Sequence, residues 1–348
     1  MFVCKGKRNL KGVSELIRTA VIGCGSMGTV HADRYKSMPE AELVAVCDIV
    51  DKAAEVLGNL VGVSYFISVH EMLEQVKPEV VSIAVPTYLH VPLVRIAADH
   101  GAHVICEKPL ALTSQEAEEA IRYCSERGVS LFVGHVVRFF PSYRQLAEGI
   151  KQLGSDQGGI YHAKRAGSHP GNVQEWFRDP LLSGGVIMDL MIHDIDYIRG
   201  AFGEAREVYA FQHQSEDINY ASATFRFKNG TIAQLEAFWG YPGSFHSSFE
   251  YADAEGIISG GTGDGESLHI RKSITTGSTS GFVETPSGVL LKDPYFLELE
   301  HFLSCLISGE EPIVTAQDAL EAVRWAEAAQ QSAMTHQPVK LEVKEEIE

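Results

Sequence analysis

One candidate for charge stabilisation is the lysine of Glu107-Lys108-Pro109, which directly follows the apolar run His103-Val104-Ile105-Cys106. An ammonium group at the end of a strand can stabilise negative charge that develops on a substrate oxygen. Pro109 restricts the backbone dihedral angles next to the lysine and so helps to fix its direction. A solvated surface lysine fits the same position, and the local sequence leaves both interpretations open.

A candidate for proton transfer is the pair Asp189 and His193, in a helical segment that begins after Gly184-Gly185. Residues i and i+4 of a helix share one face, and an aspartate beside a histidine orients the imidazole and stabilises its protonated form. Such a histidine can accept the proton of a hydroxyl group. A surface ion pair would have the same spacing. Asp194 and Asp196 lie off this face and are interpreted as structural.

A nucleotide site is predicted by Gly23-Cys24-Gly25-Ser26-Met27-Gly28, which follows the apolar run 19–22. These glycines permit a tight turn, close approach to a diphosphate, and close packing of helix on strand. Asp48 ends the next apolar run, where a carboxylate can accept hydrogen bonds from ribose hydroxyls and repel a 2′-phosphate. The next basic residue is Lys52, so NAD is favoured over NADP. The alternatives are a plain tight turn and a strand-end cap.

The first half of the chain alternates apolar runs with helical patterns, which is typical of a parallel sheet with crossover helices. The predicted strands are 19–22, 42–47, 64–66, 79–84, 103–106 and 130–133, and the predicted helices are 27–37, 51–57, 69–75, 90–100 and 114–127. Ligands bind at the carboxyl ends of such strands. Polar residues fall at these ends: Asp48, Pro86-Thr87, Glu107-Lys108-Pro109 and His135.

The second half predicts an α+β domain with a large, mainly antiparallel open sheet. After a helix near 142–152 and a strand over 160–165, β-like runs follow at 206–214, 219–227, 231–240, 245–252, 255–260 and 267–271. Asn229-Gly230 is a strong hairpin signal. Helices are predicted at 294–308 and 315–334. We expect an N-terminal extension over 1–17, a Rossmann domain over 18–135 and a substrate domain over 136–348, whose open sheet face is covered by a partner subunit.

Composition excludes several classes of partner. The chain has 348 residues, 45% of them hydrophobic, and a net charge of −17, which disfavours nucleic acid and anionic membranes as ligands. No apolar run approaches the length of a membrane span. The six cysteines form no C-x-x-C pair, so no metal site is expected. No apolar segment typical of a signal peptide follows the basic N-terminus, and a cytoplasmic location is therefore predicted.

Taken together, the motifs resemble the Gfo/Idh/MocA oxidoreductases, the family of glucose–fructose oxidoreductase and inositol dehydrogenase. The motifs that carry the resemblance are Gly23-x-Gly25-x-Met27-Gly28, Pro86-Thr87-x-x-His90, Glu107-Lys108-Pro109, Gly134-His135-x-x-Arg138-Phe139 and Gly184-Gly185-x-x-x-Asp189-x-x-x-His193. The resemblance implies an NAD-dependent dehydrogenase of sugars or cyclic polyols that forms dimers or tetramers through its sheet. It implies the catalytic set Lys108, Asp189 and His193.

The resemblance also implies a set of cofactor-binding residues: Gly23, Gly25, Ser26, Met27, Gly28, Asp48, Ile49, Pro86, Thr87, His90, Glu107, Lys108 and Arg138. Many relatives carry an asparagine where this chain reads Gly134-His135-Val136-Val137-Arg138-Phe139. This form looks like a subgroup that includes nucleotide-sugar dehydrogenases. His135 and Arg138 would then border the nicotinamide or the substrate, although Arg138 could instead pair with a carboxylate.

Substrate contacts are expected from Lys108, Asp189 and His193 and from polar or aromatic side chains suited to hydroxyl-rich rings, namely His135, Arg165, His169, Trp176, Tyr241 and His246. Packing explains each of the latter equally well. Two other functions remain open. One is a redox-neutral enzyme of the epimerase, lyase or glycosidase type that holds NAD tightly. The other is a non-catalytic dinucleotide sensor, which would not need the lysine or the D-x-x-x-H pair.

Overall fold

The computed structural model describes residues 16–153, 158–261, 268–276, 279–287 and 293–341, with the backbone alone between 268 and 287. Contacts divide the chain into two compact units. Unit 1 is Met1–Phe139 with Lys292–Leu320, and unit 2 is Phe140–Leu291 with Glu321–Glu348. The expected N-terminal extension lies outside the described residues except for 16 and 17, and so does Cys4.

The strands follow the apolar runs of the sequence closely. Their bounds are β1 Ile17–Ile22, β2 Ala41–Cys47, β3 Ser64–Phe66, β4 Val80–Ile83, β5 His103–Glu107, β6 Leu131–Gly134, β7 Ile160–Gly167, β8 Ala205–Gln214, β9 Asn219–Phe227, β10 Ile232–Trp239, β11 His246–Ala252, β12 Gly256–Gly261, β13 Leu268–Thr276, β14 Thr279–Ser287 and β15 Val339–Lys340. The strands β14 and β15 were not predicted.

The helices also agree with the sequence patterns, except for a short helix over 180–183 that was not predicted. Their bounds are α1 Ser26–Ser37, α2 Asp51–Val61, α3 Val69–Val76, α4 His90–Asp99, α5 Ser114–Arg127, α6 Pro141–Leu153, α7 Pro180–Ser183, α8 Ile192–Phe202, α9 Pro294–Ser308 and α10 Ala316–Thr335. Local capping signals explain this agreement in α5. The Thr113 side chain accepts a hydrogen bond from the Glu116 amide at the start of the helix, and Gly128 ends the helix in the left-handed conformation.

Unit 1 contains a six-stranded sheet in the order β3-β2-β1-β4-β5-β6, and all its neighbouring strands are parallel. The predicted Rossmann-type sheet is therefore confirmed. Parallel strands place their carboxyl ends at one edge, so the residues that follow β1, β2, β4, β5 and β6 share that edge.

Both faces of this sheet are covered, which explains why unit 1 is discontinuous in sequence. One face packs with α4 and α5 in a core that includes Ile22, Val104 and Val133. The other packs with α1 and α9, where the Phe302 ring stacks on Phe132 with centroids 4.9 Å apart. A parallel sheet must bury both faces. The compact units therefore differ from the expected division at residue 135, since α9 covers the sheet of unit 1.

Unit 2 contains a nine-stranded sheet in the order β14-β13-β12-β11-β7-β10-β9-β8-β15. Neighbouring strands of this sheet are antiparallel, except for the central pair β7 and β10, which is parallel. The turn at Asn229-Gly230 joins the antiparallel pair β9 and β10, as predicted. On one face Trp325 of α10 stacks on Phe225 at 5.6 Å.

The other face of this sheet is polar and partly exposed. Side chains of alternate residues, His162 and Lys164 on β7 and Gln234 and Glu236 on β10, line a shallow groove of about 370 Å³. Among the described residues, no helix is long and apolar enough to cross a bilayer, and no three His, Cys, Asp or Glu side chains come together as metal ligands.

Candidate active site

The glycine-rich turn after β1 has the geometry that the sequence predicts for a nucleotide cradle. Gly23 has a φ of 97°, and a Cβ atom there would lie 2.2 Å from the carbonyl oxygen of Ala84. A Cβ on Gly28 would lie 1.7 Å from the carbonyl oxygen of Gly23. Among the described residues, no side chain caps the N-terminus of α1 at Gly25. The first amides of α1 are therefore available to a diphosphate, and these residues fit a bound dinucleotide.

Asp48 is fixed beside this turn by the backbone. Its two carboxylate oxygens accept hydrogen bonds of 2.8 Å from the amides of Cys24 and Val50. The side chain remains half-buried rather than enclosed. Lys52, the next basic residue along the chain, is paired with Glu55 at 2.8 Å. The Asp48 carboxylate can accept hydrogen bonds from a ribose with two free hydroxyls, and its negative charge would repel a 2′-phosphate.

The Glu107 carboxylate lies at the end of β5 and is buried against α1. Its Oε1 is 3.1 Å from Nε2 of His31, and its Oε2 accepts a 3.2 Å hydrogen bond from the backbone amide of Lys108. His31 is fully buried and Glu107 is 8% exposed. Burial acts to raise the pKa of Glu107, but the hydrogen bond and charge of His31, with Lys108 and His90 nearby, hold this pKa below its ordinary value. Glu107 is thus ionised, and its carboxylate contacts His31 and the backbone amide of Lys108.

His90 at the start of α4 holds the other side of the same loop. Its Nδ1 is 2.8 Å from the carbonyl oxygen of Pro109 and its Nε2 is 2.9 Å from that of Val85. Burial lowers the pKa of His90. The neutral ring donates to one of the two carbonyls, whereas an imidazolium would donate to both. Both ring nitrogens are thus directed at the protein, and the expected contact of His90 with the cofactor is replaced by a contact with the lysine loop.

The other candidates of unit 1 fall into exposed and buried groups. Ser26 is exposed and Ile49 is 84% exposed, so both can meet a ligand. His135 is 1% exposed and presents almost no surface to a substrate. Arg138 lies 3.8 Å from the carboxylate of Asp318 and donates to the Ile313 carbonyl at 3.4 Å. These contacts therefore support the interpretation in which Arg138 pairs with a carboxylate.

Three further candidates of unit 1 differ in their exposure. Met27 in the first turn of α1 and Pro86 after β4 are half-buried, and Thr87 is 4% exposed.

In unit 2, Asp189 and His193 stand out from an otherwise buried segment. Both are half-buried, whereas Met188, Leu190 and Ile192 are buried. Gly184 and Gly185, with φ values of 71° and 68°, precede this segment. Residues 187–191 form a π-helical turn before α8, which the sequence did not predict. Such turns occur frequently at functional sites. The pair therefore lies on the accessible side of this segment.

Arg165 is locked in the core of unit 2, contrary to its expected contact with substrate. Its guanidinium donates to both carboxylate oxygens of Asp194, at 3.0 and 2.7 Å, and to the Tyr143 hydroxyl at 3.1 Å. Arg165 is 6% exposed and Asp194 is 1% exposed. Burial opposes the charge of Arg165, but the negative charge of Asp194 keeps the pKa of Arg165 above its ordinary value. Asp194 thus has the structural role expected of it, as the buried partner of Arg165.

His169 and Trp176 are brought together by an aromatic cluster that the sequence did not reveal. The His169 ring lies 5.4 Å from Trp239 at the end of β10, and Phe177 meets Trp239 edge-on at 5.7 Å. Trp176 stacks on Phe177 at 3.8 Å. His169 is 6% exposed while Trp176 is half-buried, so only Trp176 of the two offers a ring face to a ligand.

Tyr241 lies on the opposite side of the sheet from α8. Its ring contacts Phe238 at 5.8 Å and the ammonium of Lys164 at 5.9 Å. Lys164 belongs to the polar face, because its neighbour Arg165 points to Asp194 of α8. Gly240, with a φ of 94°, ends β10 and breaks the alternation that would have put Tyr241 beside Trp239. The expected substrate contact of Tyr241 is therefore not supported.

Two family models match the chain. One, described as an oxidoreductase family with an NAD-binding Rossmann fold, covers residues 17–135. The other, the C-terminal alpha/beta domain of the same oxidoreductase family, covers residues 159–341. The chain belongs to the Gfo/Idh/MocA oxidoreductase family.

Relatives from the Gfo/Idh/MocA family match almost the whole chain. The scyllo-inositol 2-dehydrogenase (NAD⁺) of Bacillus subtilis is 30% identical, over 94% of this chain and 97% of its own. The myo-inositol 2-dehydrogenase of Thermotoga maritima is 28% identical, over 94% of this chain and 99% of its own. The crystal structure of GenD2 from gentamicin A biosynthesis, in complex with NAD, has a TM-score of 0.83 and 24% identity over 97% of this chain and all of its own, and shares the fold.

Proposed function

We propose that the protein transfers a hydride between NAD and a secondary hydroxyl of a sugar, a cyclic polyol such as an inositol, or a sugar derivative. The observation that carries this proposal is the carboxyl edge of the unit 1 sheet, which the glycine turn, Asp48 and the Lys108 loop share. Similarity to two inositol 2-dehydrogenases over 94% of the chain supports the same class of substrate. Unit 1 would hold the nucleotide, and unit 2 would supply most substrate contacts.

The proposed roles follow from the chemistry of three side chains. His193 accepts the proton of the substrate hydroxyl, and Asp189 stabilises the imidazolium that forms. The Lys108 ammonium donates a hydrogen bond to the same oxygen and stabilises its developing charge. When bound, NAD supplies the hydride acceptor. General acid–base help of this kind contributes about 10²–10⁴-fold to turnover.

NAD is proposed as the cofactor in preference to NADP because Asp48 is oriented by two backbone amides at the predicted ribose position. Its neighbour Ile49 is apolar and 84% exposed, and Lys52 is already paired with Glu55. A tighter complex with NADPH than with NADH would contradict this proposal.

A direct test is a substrate screen with the purified protein. Inositols, aldoses and nucleotide sugars are each mixed with NAD or NADP, and the absorbance of the reduced nicotinamide is followed. We expect NADH to form with one or more of the sugars or polyols. A protein that purifies with NAD, changes the sugar and yields no net NADH would instead be redox-neutral. Nucleotide binding without any sugar conversion would favour a sensor.

The polar face of the nine-stranded sheet is proposed to mediate a homodimer or homotetramer. It carries both charges, with Lys164 lying 4.0 Å from Glu236, and stays partly exposed in the single chain. A face that carries charges of both signs can pair with the same face of a second copy of the chain. Light scattering after size exclusion should give twice or four times the chain mass, and a monomer would contradict the proposal.

We also propose that the protein works in the reducing cytoplasm. The five cysteines of the described residues are all free thiols, and Cys47, Cys106, Cys124 and Cys305 are buried. Free buried cysteines are typical of proteins from reducing compartments.

A further inference from the structure

The residues on both sides of Lys108 are each held by a buried histidine that contacts no ligand in the proposed reaction. His31 of α1 holds the Glu107 carboxylate, and Glu107 in turn accepts from the Lys108 amide. His90 of α4 holds the carbonyl of Pro109. Lys108 is therefore flanked by two fixed positions, although neither histidine is close to it in the sequence.

We propose that His31 and His90 are positioning residues that fix the backbone of Lys108 in its working orientation, and that His31 does so through Glu107. This inference deepens the proposed function and rests on the role given there to Lys108. The two histidines belong to helices that begin beside the nucleotide-binding elements. His31 lies in the helix that starts at the glycine turn, and His90 also contacts the carbonyl of Val85 after β4.

Burial makes these contacts selective for one arrangement. His31 is 0% exposed, His90 is 1% exposed, and water therefore cannot replace either partner without opening the core. Within the described part of the chain, Nδ1 of His31 has no hydrogen-bond partner, so its interaction with Glu107 is the polar contact that orients the ring. An ionised carboxylate that loses a buried side-chain partner would rotate or take up a proton. Either response would release the Lys108 amide.

Helix α1 offers a matched control in Tyr35, one turn after His31. Its hydroxyl makes a buried 2.7 Å hydrogen bond to Ser82, and the residue is 0% exposed. Tyr35→Phe therefore removes a buried polar contact of the same helix without touching the Lys108 loop. His31→Gln keeps a side-chain N–H donor, whereas His31→Leu and His31→Ala remove it.

The first readout needs no substrate and no cofactor. Hydrogen exchange of the Lys108 amide is measured by mass spectrometry with residue-level fragmentation. His31→Leu or His31→Ala should accelerate this exchange about tenfold or more, while the Val104 amide, which donates to Ser130 within the sheet, stays protected. In Tyr35→Phe and His31→Gln, the exchange rate of the Lys108 amide should stay close to that of the wild type. Equal Lys108 exchange in all variants would overturn the role of His31.

The second readout is a double-mutant cycle on turnover, with the sugar or polyol that gives the largest signal in the screen. His31→Ala and His90→Leu should each lower kcat about 10- to 100-fold, because small misplacements of a catalytic group have effects of this size. In a Lys108→Ala background the same changes should lower kcat less than threefold. Equal losses in both backgrounds would show a merely structural role. An unchanged kcat in Lys108→Ala alone would instead refute the proposed function, while the exchange result would still stand.

Discussion

Two buried polar clusters support the proposed catalytic residues in different ways. The Glu107 cluster, formed by His31 and Glu107, precedes Lys108 and acts on its backbone amide. The Arg165 cluster, formed by Arg165, Asp194 and Tyr143, joins the residue after His193 to strand β7. One cluster joins a histidine to a glutamate, and the other joins an arginine, which stays charged, to an aspartate.

The two units therefore keep their functional groups in place by different means. In unit 1 the functional groups lie on a loop after a strand, so local backbone contacts must orient them. In unit 2 they lie on a helical segment whose own hydrogen bonds set the backbone, and the ion pair fixes where that segment sits on the sheet. We therefore expect the Arg165 cluster to contribute mainly to stability and the Glu107 cluster mainly to turnover.

The largest stability effect is expected from breaking the Arg165 cluster. Arg165→Met leaves the Asp194 carboxylate buried without its partner and should lower the free energy of unfolding by about 3–5 kcal/mol. Arg165→Met combined with Asp194→Leu should lose less, because no charge is left uncompensated. Arg226→Met serves as control, since Arg226 forms an exposed pair with Glu207 at 2.6 Å and should contribute less than about 1 kcal/mol. Equal urea midpoints for the Arg165 and Arg226 variants would contradict the comparison.

A third carboxylate, Asp48, is proposed to bind the cofactor, whereas Glu107 is proposed to position Lys108. It is held by backbone amides like Glu107 but stays half-buried and available to a ligand. Asp48→Ser should therefore weaken NAD binding relative to NADP by about 10- to 100-fold, the size of a hydrogen bond to a charged group. The Kd values for both cofactors measure this. Asp51→Ser in the first turn of α2 should leave the ratio unchanged, and an unchanged ratio in Asp48→Ser would remove its proposed role.

The smallest effect concerns the response of the Glu107 cluster to acid. The folded-state pKa of Glu107 lies below its ordinary value of 4.5. The unfolded chain therefore binds more protons in this window, and the stabilisation is present above pH 4.5 and lost as the pH falls through the folded-state pKa. Glu107→Gln should flatten this part of the curve of unfolding free energy against pH. An identical acid slope in wild type and variant would show that the pair does not contribute.

Much of unit 1 could be predicted because its signals are local. The glycine spacing, the acid at the end of β2 and the Glu107-Lys108-Pro109 loop all follow from strand ends that a parallel sheet brings to one edge. His31 was missed because a histidine on an apolar helix face gives no sign of its partner, although it shares that face with Gly28. The packing of α9 on the sheet of unit 1 is a long-range contact and has no local signature.

Unit 2 was predicted less well at the level of side chains. The residue type of Arg165 suits a sugar ligand as well as a buried ion pair, and only the contact with Asp194 decides between them. Tyr241 follows a glycine with positive φ, which reverses the side expected from strand alternation. The π-helical turn at 187–191 depends on how the segment packs, and helical spacing alone cannot show it.

The catalytic roles proposed for Lys108 and His193 are tested most directly by two measurements on Lys108→Ala and His193→Ala: the kcat of sugar or polyol oxidation and the Kd for NADH. We predict that each change lowers kcat by about 10²-fold or more, while the Kd stays within about threefold of the wild type. Near-full turnover in both variants, at saturating substrate and NAD, would contradict it.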